Sequence, residues 1–132
     1  MNGIAHIYEK DIKDLVPFAR GVGIDIEDVG RFRAEDQGQN PAFYQKIFTE
    51  QETRYCLSKP DPYPHFAARF AAKEAVAKAI GKTMYELKDI EVCNDEAGRP
   101  GVSLRLHEAG LRILISLSHT KDTAAAIAVW TD

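Results

Sequence analysis

The stretch RFAAKEAVAKAIGK, residues 69 to 82, constrains the fold more than any other part of the chain. At about 100° per residue, Ala71, Ala72, Ala75, Val76, Ala79 and Ile80 fall on one broad arc, and Lys73, Glu74 and Lys78 on the other. The periodicity predicts a long helix from about His65 to Ile80, stopped by Gly81. Its apolar arc is core, so the other elements must pack around it. The charged arc has two readings. Glu74 followed four residues later by Lys78 is the favourable order for a solvated helix pair. Arg69 and Lys73, however, are like charges one turn apart, an arrangement that is unfavourable unless an anion or acid sits between them.

Around that helix the chain alternates in period. In GVGIDIED, Val22, Ile24 and Ile26 alternate with Gly23, Asp25 and Glu27, the pattern of a strand whose aliphatic face is buried and whose other face carries two acids. A short helix is predicted over 11–19, where Ile12, Leu15, Val16 and Ala19 share a face. Asn40 before Pro41 starts a helix, and Thr49 with Glu52 is a capping box opening another through Leu57. The prolines of KPDPYP end that helix and set the entry of the long one. DIEVCN and PGVSLRL flank Asp95, Glu96, Ala97 and Gly98 as a hairpin, and LRILISLS and TAAAIAVW, separated by the turn SHTKD, read as two more strands. The class expected is α+β, with a mainly antiparallel sheet packed on a long central helix.

A chain of 132 residues most simply makes one domain, 1–132, with 1–20 as an N-terminal extension. A net charge of −3 argues against general affinity for nucleic acid, and no apolar run approaches a membrane span. Cys56 and Cys93 form no CxxC pair and have no metal-ligand spacing, so they read as reduced packing residues of a cytoplasmic protein. MNGIAHIYEKDIKD lacks a signal-type apolar segment.

Three separated places hold polar residues that local structure does not demand: Asp25 with Glu27, Glu74 with its cationic neighbours, and His119 in SHTKD. The strand acids could be a solvent-facing edge that resists aggregation. They could equally ligate a hard cation, with Glu74 completing a set suited to Mg²⁺, and Arg69, Lys73 and Lys78 beside it would then face a phosphorylated substrate. His119 is either a surface residue or a phosphate donor. His6, His65 and His107 read as structural or surface residues. GVG is too short for a phosphate loop, and neither a Rossmann nor a Walker pattern is present.

GVGIDIEDVGRF, FAARFAAKEAVAKAIG and ISLSHTKDTAAAIAV, in that order, resemble the three signature regions of the 4′-phosphopantetheinyl transferases, specifically the short holo-acyl-carrier-protein synthase type. The resemblance implies transfer of the phosphopantetheine arm from coenzyme A to a serine of an apo acyl carrier protein, releasing adenosine 3′,5′-bisphosphate. It also implies the α+β fold of that family and a homotrimer with the coenzyme between subunits. Asp25 and Glu74 fall on the family's Mg²⁺ ligands, and Glu27 on a third acid that some members use. Arg69, Lys73, Lys78, His119 and Thr120 fall around the coenzyme phosphates. Glu74, with Asp25 and Lys78, forms the expected catalytic group, and Glu74 is the candidate for taking the serine proton. Arg31 matches a carrier-docking arginine, with Arg33 a second candidate. Two other classes use the same residues: a coenzyme A-binding assembly module without turnover, and a Mg²⁺-dependent phosphohydrolase.

Overall fold

The computed structural model describes residues 3–5, 19–81, 86–105 and 112–131. Strand β1 (Ala19–Asp28) leads into three short helices, α1 (Val29–Ala34), α2 (Pro41–Ile47) and α3 (Glu50–Leu57), and then the long α4 (Tyr63–Ile80). A 3-10 turn (Leu87–Asp89) precedes the hairpin β2 (Ile90–Asn94) and β3 (Pro100–Leu104), and β4 (Arg112–His119) and β5 (Thr123–Thr131) close the chain. The strands form a three-stranded sheet, β1-β5-β4, and a two-stranded sheet, β2-β3, with every pairing antiparallel. The expected α+β class is what the molecule has. Of the helix expected over 11–19, only Ala19 is described, and it opens β1; the rest of that helix, His6 and His107 lie outside the described residues.

The local signals work as their chemistry requires. Thr49 caps α3 reciprocally with Glu52, Pro41 occupies the first turn of α2, and Gly81 ends α4 in the left-handed region at φ 65°. Two hydrophobic clusters share α4. One is aromatic, with Phe32, Tyr44, Phe48, Phe66 and Phe70 meeting at tilted and edge-on angles. The other is built from small residues, Ala71, Ala72, Ala75, Val76 and Ala79 of α4 against Ala126 and Ala128 of β5 and Ile90 and Val92 of β2.

That second cluster reverses one expectation. Val22, Ile24 and Ile26 are not the buried face of β1; they stand 66–68% exposed, with Leu114 at 67% and Ile127 at 41% on the same face of the sheet. The face toward α4 carries Gly23 and Asp25 from β1 and Ala124, Ala126 and Ala128 from β5. The cause is steric. A methyl at Gly21 would overlap the carbonyl oxygen of Ala79, and one at Gly23 that of Ala75, so helix and strand touch backbone to backbone only because both sides are small. The glycines of GVG serve packing.

Candidate active site

Because β1 lies against α4, Asp25 and Glu27 stand on the strand face turned toward the helix, whereas Asp28 caps α1. Lys78 reaches back to the strand, donating to the Ile24 carbonyl at 2.9 Å and to Asp25 Oδ1 at 3.2 Å. Asp25 Oδ2 is buried and accepts no hydrogen bond. Burial first, and then the neighbouring Asp25 carboxylate, push the Glu27 carboxyl up to about 7; Arg31 opposes the shift and Glu74 adds to it. Asp25 from the strand and Glu74 from the helix thus both bear on Glu27, with Arg31 reaching Glu27 from one turn on at 3.6 Å. The sheet register extends the set: Glu27 pairs with Ala124, and Ala124 with His119. These three residues form one row across the sheet, which puts His119 about 10 Å from Glu27, two strand spacings away. A hollow of about 270 Å³, lined by Ile24, Asp25, Ile26, Lys78 and Ala125, opens beside the acids. A larger groove of about 580 Å³, walled by Tyr44, Phe48, Arg54 and Leu57 among others, holds none of the candidate residues.

A second group gathers around Tyr55. The Arg69 guanidinium lies 3.8 Å from the Tyr55 ring centroid, and the Lys59 ammonium 4.7 Å from it. Arg69 is 3% exposed, donates through Nη2 to Asn94 Oδ1, and leaves its buried Nε without a partner. Asn94 is itself fixed by its Nδ2 donating to the Gly98 carbonyl at 3.0 Å, so the β2–β3 turn aims the guanidinium. His65 and His119 meet edge-on, with ring centroids 4.9 Å apart. Thr120 organises the turn after His119: its amide donates to the Thr123 carbonyl at 2.8 Å, and its hydroxyl accepts from the Thr123 amide at 3.1 Å.

Lys73 is not on an exposed charged arc. Its side chain is closed to solvent, and the ammonium donates to Glu52 Oε1 at 2.6 Å, the Leu87 carbonyl at 2.9 Å and the Ile90 carbonyl at 2.7 Å. All its protons are used within the core, which corrects the expectation that it faces phosphates. Glu52 is equally committed, accepting also from the Thr49 and Val92 amides. Burial holds Lys73 below the ordinary lysine range, against the pull of Glu52. Arg33 is engaged as well, clasping both oxygens of Asp61, whereas the Arg31 side chain stays 53% exposed. Cys56 is buried as expected, but Cys93 is exposed.

Glu52, Tyr55, His65 and Asn94 carried no functional signal in the sequence. Glu52 was visible only as half of a capping box, because its second partner stands 21 residues away. Tyr55, His65 and Asn94 meet Arg69 and His119 only through the packing of α3, α4, β2 and β4.

The family model described as the 4′-phosphopantetheinyl transferase superfamily matches residues 21–129. A holo-[acyl-carrier-protein] synthase of Chlamydia trachomatis is 47% identical over 116 residues, covering 83% of this chain and 97% of that protein. One from Chlorobaculum parvum is 42% identical over 111 residues, covering 82% and 95%. Among solved structures, a holo-(acyl-carrier-protein) synthase from Bacillus anthracis in complex with CoA (3′,5′-ADP) superposes with a TM-score of 0.74 at 31% identity, covering 87% of this chain and 98% of that one. The Neisseria meningitidis synthase gives 0.75 at 30% identity, covering 86% and 99%.

Proposed function

The chain belongs to the 4′-phosphopantetheinyl transferase superfamily, and we propose on that footing that it transfers the 4′-phosphopantetheine group from coenzyme A to a serine of an apo acyl carrier protein. The names of its relatives and the coenzyme complex of the Bacillus anthracis protein support this choice of donor and acceptor. The serine oxygen bonds to the phosphorus next to the pantetheine arm, and the P–O bond within the pyrophosphate breaks. Its electron pair leaves on adenosine 3′,5′-bisphosphate, and the hydroxyl proton passes to Glu74. Lys78, Arg69 and His119 hold the phosphate oxygens on which charge gathers, and Thr120 keeps His119 on its turn. Lys73 supports the site from within the core.

The observation that carries this reading is the orphaned Oδ2 of Asp25. A buried carboxylate oxygen with no donor costs about 1–3 kcal/mol, a cost that an oxygen-seeking cation would offset. Asp25, Glu74 and Glu27 are the residues that would hold Mg²⁺, which when bound stabilises the charge that builds on the pyrophosphate oxygens. Among the described residues no three acid, histidine or cysteine side chains stand together closely enough to hold a metal, so Asp25, Glu74 and Glu27 would have to close around the ion with waters or phosphate oxygens completing its shell.

The exposed aliphatic face is the natural interface of the homotrimer. Val22, Ile24, Ile26, Leu114 and Ile127 form a sheet face that water disfavours, and the hollow beside Asp25 opens at its margin. Arg31 is the docking cation for an acidic carrier, since Arg33 already has Asp61. No helix among the described residues is long and apolar enough to cross a membrane, and a cytoplasmic location completes the proposal. Incubation with coenzyme A, Mg²⁺ and a panel of apo carrier proteins should add the arm's mass to a carrier serine. No addition across the panel would overturn the reading.

A further inference from the structure

The group around Tyr55 contains a titratable side chain that the transfer itself does not use. His65 is half-buried, edge-on to His119 at 4.9 Å and 69°, and edge-on to Tyr55 at 6.1 Å. The groups that face it come from every packed element: Tyr55 from α3, Lys59 and Asp61 from the segment after it, Arg69 from α4 and His119 from the end of β4. Asp61 is the only acid among them, and Arg33 clasps both its oxygens. Lys59 and Arg69 rest on the Tyr55 ring with no carboxylate partner among the described residues, and the buried Nε of Arg69 is unsatisfied.

Such a cluster has a sign problem with one remedy. With no anion present, a further positive charge on His65 would meet Arg69, Lys59 and the neighbouring imidazole in a partly desolvated place. Burial and these neighbours accordingly hold the His65 imidazole below its ordinary value. A phosphate group seated among the same residues reverses the balance, because an opposite charge within about 4–6 Å favours the protonated form.

We propose that His65 is a positioning residue that makes phosphate binding at Arg69 and His119 proton-linked: neutral in the free protein, its imidazole braces His119 and takes up a proton as the anion arrives. The inference rests on the coenzyme A reading of this site and adds a residue and a pH dependence to it. Lys59, the other cation on Tyr55, strengthens the same anion field.

The test is calorimetric titration of the full-length protein with coenzyme A, repeated in buffers of different ionisation enthalpy so that the protons exchanged are counted. The wild type should take up protons near neutral pH, and His65→Phe should take up roughly half a proton fewer. His65→Gln, which stays polar but does not titrate in this range, should match His65→Phe. Both variants should bind coenzyme A several-fold more weakly than the wild type at about pH 6.5 and converge with it toward about pH 8. Equal proton uptake in all three proteins would overturn the inference while leaving the transfer reading standing, even if the variants melt at lower temperature. Absence of coenzyme A binding by the wild type would overturn both.

Discussion

The ammonium of Lys73 and the carboxylate of Glu52 form an ion pair at 2.6 Å in which both side chains are fully closed to solvent. The pair joins α4 to the first turn of α3 and, through the Val92 amide, to β2. Removing one partner leaves a buried charge uncompensated. Lys73→Met should therefore destabilise the fold by about 3–5 kcal/mol, read from urea unfolding. A variant with unchanged stability and weakened coenzyme binding would return Lys73 to the phosphate site.

Glu74 sits half-buried one turn before Lys78 and bears electrostatically on Glu27. Glu74→Gln keeps its shape and removes both a metal-directed charge and the proton acceptor. Transfer to the carrier should fall by about 10²–10⁴-fold, with unchanged circular dichroism. Near-normal turnover by the folded variant would exclude Glu74 as the base.

Leu114 is 67% exposed on the aliphatic face of the sheet and lies on the strand farthest from Asp25. An aspartate there would set like charges against one another across a subunit contact. Light scattering should show a trimer for the wild type and a monomer for Leu114→Asp. A monomeric wild type, or a variant that remains trimeric, would rule out this face as the contact.

Cys56 is buried and Cys93 exposed, and burial pushes the Cys56 thiol up to about 12. A thiol-specific reagent at mildly alkaline pH should modify Cys93 alone in the native protein and both cysteines after unfolding. The folded value lies above the unfolded one. The stabilisation from this thiol is therefore complete below the ordinary value of 9.0 and is lost as pH rises through about 12. Rapid native modification of Cys56 would contradict its enclosure.

Much of the fold was legible because its signals are local: the capping box at Thr49, Pro41, the glycine stop at Gly81 and the turn of the β2–β3 hairpin each act within a few residues. The acids Asp25, Glu27 and Glu74 and the cations Arg69 and Lys78 were also visible, since their types and spacing stand out along a strand and a helix. Two features were not. Alternation in GVGIDIED identifies a strand but not which side meets the core, and hydrophobicity pointed to the wrong one because the packing partner, α4, admits only small residues. The helical wheel likewise put Lys73 with the charges, while Glu52 and two backbone carbonyls from later in the chain pull it inside. Both errors come from contacts that no local window contains.

The close approach of β1 to α4 also fixes where chemistry can occur. Asp25 and Lys78 meet because nothing larger than a hydrogen atom separates Gly23 from the carbonyl of Ala75. The separation between acid and base is thus set by absent volume, and polar side chains alone could not restore it. Enlarging either glycine would act as a wedge, prising the strand off its helix and drawing the carboxylates away from Lys78 without altering a single charged residue.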